Sequence, residues 1–461
     1  MKKTNGSLLE GPLFSGIISY TVPIILTSIL QLLFNAADLV IVGRFRGSVA
    51  VAAVGATGSI TNLIVNLFVG LSVGAGVAVA RSFGKNDEQD VHRIVHTSLP
   101  TAILSGIVLT VVGVIFSPTF LAWMDTPANV LPLSTVYMRI YFAGITFSMV
   151  YNFCASILRA VGDTKGPLLF LFAAGVINVV LNVFFVTVFG MSVDGVALAT
   201  TISQGVAAIL VVRALMRRTD CCRLTLSKMH IYAKQLLKIV YIGLPAGIQG
   251  SLFSISNVII QSSINSFNDI VVAGNAAAGN LEGFVYVCLN AFHQTAVNFT
   301  GQNAGARQYG RVRKILWICL GCVSVVGIVA GSAVYAAGEH LLAIYIIDSP
   351  EAIGYGLTRL AFICLPYFLC GLMDVSTGAL RGLGSSLTPM VISVLGICGI
   401  RILWIYTVFR QEAYHTLECL YFSYTVSWVA TFLCQLVAFF ILYKRCVKKS
   451  AGAPPLAAPP A

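Results

Sequence analysis

The amino-acid sequence predicts an all-α integral membrane protein with twelve transmembrane helices in two six-helix lobes, related by a pseudo-twofold axis along the membrane normal. Three observations predict it: the composition, twelve apolar runs and an internal repeat. Of the 461 residues, 57% are hydrophobic and 10% are charged, whereas an ordinary soluble protein carries about 25% charged residues. This composition excludes a soluble enzyme, a disordered chain and a nucleic-acid-binding domain.

The apolar runs set the number of helices. A transmembrane helix needs about 20 mostly apolar residues, and charge, Pro and Gly clusters divide the chain into twelve such runs. They lie at 14–42, 50–79, 95–119, 131–157, 167–190, 194–216, 235–265, 271–300, 314–336, 353–379, 388–409 and 418–443. The runs are too long for strands, so we expect twelve helices.

The basic residues set the orientation and account for the net charge of +12. If both termini are cytoplasmic, the inner segments hold 23 of the 29 Lys and Arg residues and the outer connections hold 3. Basic residues accumulate on the cytoplasmic side of membrane proteins. We therefore expect a multi-pass protein of the cell membrane with both termini inside.

The second half of the chain repeats the first at a constant offset. Segment 158–167 matches 380–389, with Leu, Arg, Gly and Pro in register, and Pro23 corresponds to Pro245 at the same offset. The predicted parts are an N-lobe at 1–218, a cytoplasmic linker at 219–234, a C-lobe at 235–446 and a disordered Ala/Pro-rich tail at 447–461. Since six is even, both lobes enter the membrane in the same orientation, and substrates of such parallel-repeat proteins bind between the repeats.

Polar residues inside the N-lobe spans form the first candidate site, because a charge inside a membrane is expensive and marks function by default. The residues are Gln31, Asn35, Asp38, Asn178, Asn182 and Thr200. The first three share one helix face by their spacing. Together they could line an oxygen-rich pocket for Na⁺, or for H⁺, since a desolvated carboxylate favours protonation, and we assign Gln31 to the adjoining substrate cavity. The alternative is a hydrogen-bonded cluster that only holds helices together.

In the C-lobe, one helix carries a polar stripe at offsets of four, eight and eleven residues. It consists of Glu282, Tyr286, Asn290 and His293. We interpret the stripe as the wall of a substrate cavity, with a cation or proton site at Glu282. Two alternatives stay open: Glu282 forms a buried ion pair with an arginine such as Arg401, and His293 is a hydrogen-bonded structural residue.

Asp374 is the third acidic residue well inside a span, and it aligns with Asn152 in the repeat. We assign it to the substrate cavity, with a local ion pair to Arg381 as the alternative. The sequence has no P-loop, HExxH or GxSxG motif, so ATP-driven transport within this chain and the common hydrolase chemistries lack support. We expect no cofactor and no structural metal.

Several short segments resemble, in order and spacing, the multidrug and toxic compound extrusion (MATE) transporters of bacterial type. The resemblance covers residues 10–443. Its best pieces are Pro23 with 31–38 (QLLFNAAD), 158–163 (LRAVGD), 177–182 (INVVLN), 195–200 (GVALAT), 301–306 (GQNAGA) and 380–384 (LRGLG). It implies twelve helices in two lobes and the export of organic, often cationic, drugs in exchange for Na⁺ or H⁺.

The resemblance also implies roles for single residues. Asp38 matches the aspartate that serves cation coupling, and Asn178 and Thr200 match residues near it, so transient Na⁺ binding is implied at these three. Glu282 matches a recurring acidic position of the second lobe, and Asp374 an acidic position seen in part of the family. Asn182 departs from the pattern, because many members have Asp there, and this leaves ion choice and stoichiometry open.

The resulting hypothesis is a secondary active transporter, not an enzyme: a cation-coupled antiporter that exports organic, cationic drugs or metabolites by alternating access. Its expected partners are a small-molecule substrate and the lipid bilayer, not nucleic acid, and we expect a monomer because two lobes complete one pathway. The alternative is a lipid-linked saccharide flippase of the same wider superfamily. Such a protein needs cationic cavity residues for pyrophosphate, and the candidates are Arg139, Arg359 and Arg401.

Overall fold

A computed structural model of the protein describes residues 8–124, 126–346 and 349–451. Within these ranges the regular elements are helices, so the predicted all-α fold is confirmed. Ten helices there are long and apolar enough to cross a membrane. Two further pairs of helices each form one bent span, which brings the total to as many as twelve.

The first six spans are built from seven helices. They are α1 Leu13–Arg46, α2 Ser48–Gly84, α3 Glu88–Trp123, α4 Leu131–Ala143, α5 Ile145–Ala160, α6 Lys165–Thr187 and α7 Val193–Met216. Helices α4 and α5 form one span that bends by 46°. The bend lies at Gly144, which lacks a Cβ and packs tightly against Thr201 of α7.

The remaining helices follow a linker that contains one turn of 3₁₀ helix, Leu226–Lys228. They are α8 Ala233–Ile264, α9 Asp269–Gly305, α10 Tyr309–Ala336, α11 Gly338–Ala343, α12 Pro350–Ile363, α13 Tyr367–Gly382, α14 Leu387–Ser393, α15 Ile400–Trp404 and α16 Leu417–Ala451. Helices α12 and α13 bend by 45° at Pro366, where the proline ring disfavours a continuous helix. Two π-helical segments, Val394–Gly399 and Ile405–Phe409, flank α15.

Unusual backbone conformations recur at matching places in the two halves of the sequence repeat. Gly162 and Gly384 occupy equivalent positions, and their φ angles are 96° and 91°. Asn86 and Arg307 also correspond closely and adopt φ angles of 60° and 58°, which non-glycine residues rarely do. The repeat is therefore a repeat of backbone turns as well as of sequence.

The described chain forms two compact units. The first unit is built on Leu26–Ser251, and the second on Leu8–Ile25 with the chain from Leu252 onward. Helices α1 and α8 thus contribute to both units, whereas the lobe boundaries predicted from the repeat would assign each helix to one lobe. The units follow packing, and the predicted boundaries remain a prediction about the repeat.

Close helix contacts explain these unit boundaries. In the first unit, a Cβ added to Gly70 of α2 would lie 2.2 Å from the nitrogen of Gly247 in α8, and one added to Gly74 would lie 2.2 Å from the Ile239 oxygen. Only glycine permits this approach, so the start of α8 stays against α2. In the second unit, the Oγ1 atoms of Thr21 in α1 and Thr295 in α9 are 2.8 Å apart.

The tail differs from the prediction at its start. Helix α16 continues through Ala451, because no Gly or Pro interrupts 441–451, so residues 447–451 are helical and not disordered. The rest of the predicted tail, 452–461, lies outside the described residues. The linker is held to α3, where His96 Nε2 accepts from the Thr225 backbone N–H at 3.1 Å.

Candidate cation site and its surroundings

A closed ring of hydrogen bonds lies inside the first unit, where α1, α6 and α7 meet. Asn182 Nδ2 donates to Asp38 Oδ1 at 2.5 Å and to Asn178 Oδ1 at 3.2 Å. Asn178 Nδ2 donates to Thr200 Oγ1 at 3.3 Å, and Thr200 Oγ1 donates to Asp38 Oδ2, also at 3.3 Å. The structure therefore brings together four of the six residues predicted for the N-lobe site. We call these four residues the Asp38 ring.

Gly175 on α6 allows α1 to approach closely enough for the Asp38 ring to form. A Cβ on Gly175 would lie 1.8 Å from Cε2 of Phe34 on α1, so only glycine leaves room for the phenyl ring. Phe34 precedes Asp38 by four residues and Gly175 precedes Asn178 by three, about one helical turn in each case. The close approach of the two helices therefore places Asp38 against the two asparagines.

The electrostatics of the ring favour a cation. Asp38 is 8% exposed, and none of the ion pairs among the described residues includes it. Neutral donors alone hold the carboxylate. Asn182 Oδ1 is buried with no hydrogen-bond partner there. The ring thus offers carboxylate, amide and hydroxyl oxygens, the ligand types of hard cations, and the unpartnered oxygen is not explained by helix-to-helix contact alone.

The ring forms without Gln31 and Asn35. Both lie on α1 and are exposed, and none of the hydrogen bonds that form the ring includes them. Their predicted roles stay predictions. Tyr137 of α4 lies within electrostatic range of Asp38, and no spacing in the sequence signals it.

In the second unit, Glu282 forms a buried ion pair. Arg359 Nε donates to Glu282 Oε1 at 2.6 Å and Nη2 donates to Oε2 at 2.8 Å, and the two side chains are 11% and 9% exposed. Arg359 Nη1 also donates to Asn275, which accepts from the Tyr421 hydroxyl at 3.1 Å. The ion-pair alternative thus fits the geometry, with Arg359 in place of Arg401. A neutralised carboxylate is a weak ligand for a second cation.

His293 bridges two helices. Its Nδ1 is 2.7 Å from the Asp374 carbonyl oxygen, and Nη1 of Arg381 is 3.3 Å from its Nε2. A carbonyl can only accept, so Nδ1 carries the proton and Nε2 accepts from Arg381. Both nitrogens have protein partners, which fits the structural alternative. Asp374 Oδ2 is buried without a hydrogen-bond partner among the described residues. The positive charge of the nearby Arg381 interacts electrostatically with this carboxylate.

The rest of the stripe on α9 is partly open. Tyr286 is 39% exposed and stacks on Tyr367 with a centroid distance of 6.4 Å. Asn290 is half-buried and accepts from Gln294 Nε2 at 3.1 Å. These two residues lie where a ligand of the second unit could reach them, and their assignment to a substrate cavity stays a prediction.

The comparisons with known proteins cover nearly the whole chain. A family model described as MatE matches residues 23–184 and 245–407. The probable multidrug resistance protein YpnP of Bacillus subtilis (strain 168) is 27% identical over 85% of this chain and 87% of its own length. The probable multidrug resistance protein YoeA of the same strain is 27% identical over 93% of each chain. A multidrug resistance MATE family transporter of the MOP superfamily, solved in an outward-facing conformation, superposes with a TM-score of 0.86 at 21% identity over 97% of this chain and 100% of that one.

Proposed function

The chain belongs to the MatE family of membrane transporters, and on that premise we propose that it is a cation-coupled antiporter that exports organic compounds across the cell membrane. One observation supports the coupling above all others: the Asp38 ring holds a buried carboxylate with neutral donors only. A buried carboxylate without a counter-ion is costly, and binding of Na⁺ or H⁺ offsets that cost. Both ions are transported substrates in this proposal, and neither is a resident cofactor.

The Asn182 amide acts as the switch of the site. In the ring as it stands, Nδ2 faces Asp38 and the buried Oδ1 has no partner among the described residues. When Na⁺ binds or the Asp38 carboxylate is protonated, the position beside it requires a hydrogen-bond acceptor or an ion ligand. The Asn182 Nδ2 that now occupies this position is a donor. Rotation of the amide by half a turn places Oδ1 on the ion or on the carboxyl proton. Ion binding thereby changes how α1 is held by α6.

Coupling requires that the ion and the cargo prefer different states of the protein. The two sites alternate between the two sides of the membrane, and by linkage the cargo weakens ion binding as much as the ion weakens cargo binding. About 1.4 kcal/mol of differential binding shifts the two-state ratio only tenfold, so an efficient exporter needs several times that. Both termini lie in the cytoplasm in this proposal, as the basic residues predict, and one chain is one transport unit.

The decisive experiment is transport by the purified protein in liposomes, with a Na⁺ gradient and a pH gradient imposed separately. Fluorescent ethidium serves as the cationic probe and a naphthalene carboxylate as the anionic one. We expect one gradient to drive export in the wild type. Asp38→Asn should abolish the gradient dependence while cargo exchange without a gradient persists, because the cargo site is intact.

Asp269→Asn is the matched control, since Asp269 is an exposed acidic residue at the start of α9. It should transport as the wild type does. Undiminished gradient-driven export by Asp38→Asn would remove Asp38 from the mechanism. A wild type that ignores both gradients with both probes would overturn cation coupling.

A further inference from the structure

We propose that the second unit contains a binding site for an amphipathic organic anion, with the acidic head group on Arg401 and an aromatic or apolar body beside it. The ligand class is an organic carboxylate or a similar single-headed acid. The inference rests on the proposed function only where it treats this anion as cargo.

Arg401 of α15 is a buried cation without a counter-ion. It is 4% exposed, and none of the ion pairs in the described part of the chain includes it. Nε donates to Ser427 Oγ at 3.2 Å, and Nη1 makes a long contact of 3.5 Å with Asn257 Oδ1. The hydrogen bonds of the guanidinium within the described part of the chain are those of Nε and Nη1. The guanidinium edge is therefore available for the paired hydrogen bonds that a carboxylate forms with arginine.

The charge balance of the second unit points the same way. Among the described residues of this unit, the buried or nearly buried charges are two carboxylates, Glu282 and Asp374, and three guanidiniums, Arg359, Arg381 and Arg401. Glu282 neutralises Arg359, and Arg381 lies near Asp374. One positive charge remains, on Arg401. An uncompensated charge inside a membrane protein is costly, and a neutral side chain would bond Ser427 without that cost, so helix contact alone does not account for an arginine here.

A row of aromatic rings leads from the partly exposed Tyr286 to this guanidinium. Tyr286 and Tyr367 stack at 6.4 Å, Tyr367 and Trp428 stack at 5.3 Å, and Tyr424 meets Trp428 edge-on at 5.7 Å. The Arg401 guanidinium lies 4.0 Å from the Tyr424 ring centroid. Flat apolar rings beside a fixed positive charge suit a ligand with an aromatic body and an acidic end.

The backbone around Arg401 is also unusual. The five-residue helix α15 lies between the π-helical segments Val394–Gly399 and Ile405–Phe409. Single π turns are rare and concentrate at functional sites. Arg401 lies between the two π-helical segments, and its guanidinium contacts Ser427 and the Tyr424 ring.

Equilibrium binding to the purified full-length protein in detergent tests the site, with three matched naphthalene probes. They are 2-naphthoate, the neutral 2-naphthamide and the cationic 2-naphthylmethylammonium. We expect the wild type to bind 2-naphthoate about tenfold or more tightly than either other probe, as hydrogen bonds to a charged group allow. Arg401→Gln should lose that preference, and Arg401→Lys should keep part of it, because the ammonium retains the charge but not the paired hydrogen bonds.

The double substitution E282Q/R359Q is the control, because it removes another arginine of the same unit together with its counter-ion. It should keep the preference for 2-naphthoate. Equal binding of the three probes by the wild type would overturn the proposal, and so would an unchanged preference in Arg401→Gln. If Arg401→Gln does not fold, the order of the three probe affinities in the wild type and in Arg401→Lys tests the proposal instead.

This test is separate from the test of transport. Binding is measured without a gradient, so a protein that prefers 2-naphthoate but ignores ion gradients retains the Arg401 site and loses the antiport mechanism. A protein that responds to gradients but binds the three probes equally retains antiport and loses the anion site.

Discussion

Asp38 and Glu282 are both buried carboxylates on membrane helices, and their neighbours give them different roles. Neutral donors surround Asp38, so a cation can bind there without displacing another charge. A guanidinium holds Glu282 through two hydrogen bonds, so a cation there would have to displace Arg359. The sequence predicts both as cation sites because it shows which residues are acidic but not which charge faces them.

The Glu282 pair leads to a stability prediction. Glu282→Gln leaves Arg359 buried without its counter-ion, and breaking a buried pair costs about 3–5 kcal/mol. We expect a clear fall in the unfolding temperature of the purified protein, and partial recovery in E282Q/R359Q. A Glu282→Gln variant that keeps its stability but loses its ion dependence would instead identify Glu282 as the cation site.

A second prediction at this scale concerns Asn182. Asn182→Asp places a second carboxylate beside the first, and two such groups cannot both stay ionised unless a cation lies between them. We expect the Na⁺ or H⁺ concentration for half-maximal transport to fall about tenfold, the equivalent of about 1.4 kcal/mol. Asn265→Asp, at an exposed asparagine, is the control. An unchanged ion dependence would place Asn182 outside the site.

The residues of the candidate site were predictable in part. Asn178 and Asn182 lie one turn apart on one helix, and that spacing predicts that they share a face, whereas their meeting with Asp38 and Thr200 on other helices was a hypothesis. Asn35 lies three residues from Asp38, a spacing that also predicts a shared face, yet it is exposed and lies outside the ring. Arg359 was not predictable as the partner of Glu282, since 77 residues separate them and no periodicity links two helices.

At the scale of helices, spans follow from hydropathy but bends do not. The apolar run 131–157 reads as one straight helix, yet it bends by 46° at Gly144. Glycine occurs 42 times in this chain, so no single one marks a break. The two π-helical segments were equally invisible, because hydropathy over 388–409 is continuous and the change concerns backbone hydrogen bonds alone.

The contact between α1 and α6 gives the prediction at this scale. Gly175→Leu introduces a side chain where the Phe34 ring lies, and overpacking of this kind costs about 1–3 kcal/mol. We expect a lower unfolding temperature and weaker ion coupling, because α1 moves away from the asparagines. Adding Phe34→Ala should restore both in part. A Gly175→Leu variant with normal coupling would show that this contact does not position Asp38.

At the scale of the whole molecule, the prediction concerns the membrane topology. The distribution of basic residues predicts both termini in the cytoplasm, and the connection at Gln411 on the outer side. Green fluorescent protein fused after Ala461 should fluoresce in a bacterial host, and alkaline phosphatase at the same position should be inactive, since each reporter works on one side only. Fusions after Gln411 should give the opposite pattern, and identical patterns at the two positions would contradict the predicted topology.

The backbone turns that recur in both halves of the chain have a consequence for how this protein diverged. The two halves share these turns, but the buried charges of their described residues differ: the first half holds one carboxylate, Asp38, and the second holds one more guanidinium than carboxylate. A hybrid made by joining the first half to a second copy of itself would keep the shared backbone turns. It would, however, contain two buried acidic sites and no buried arginine site. The backbone turns are thus common to both halves, whereas the buried charge differs between them.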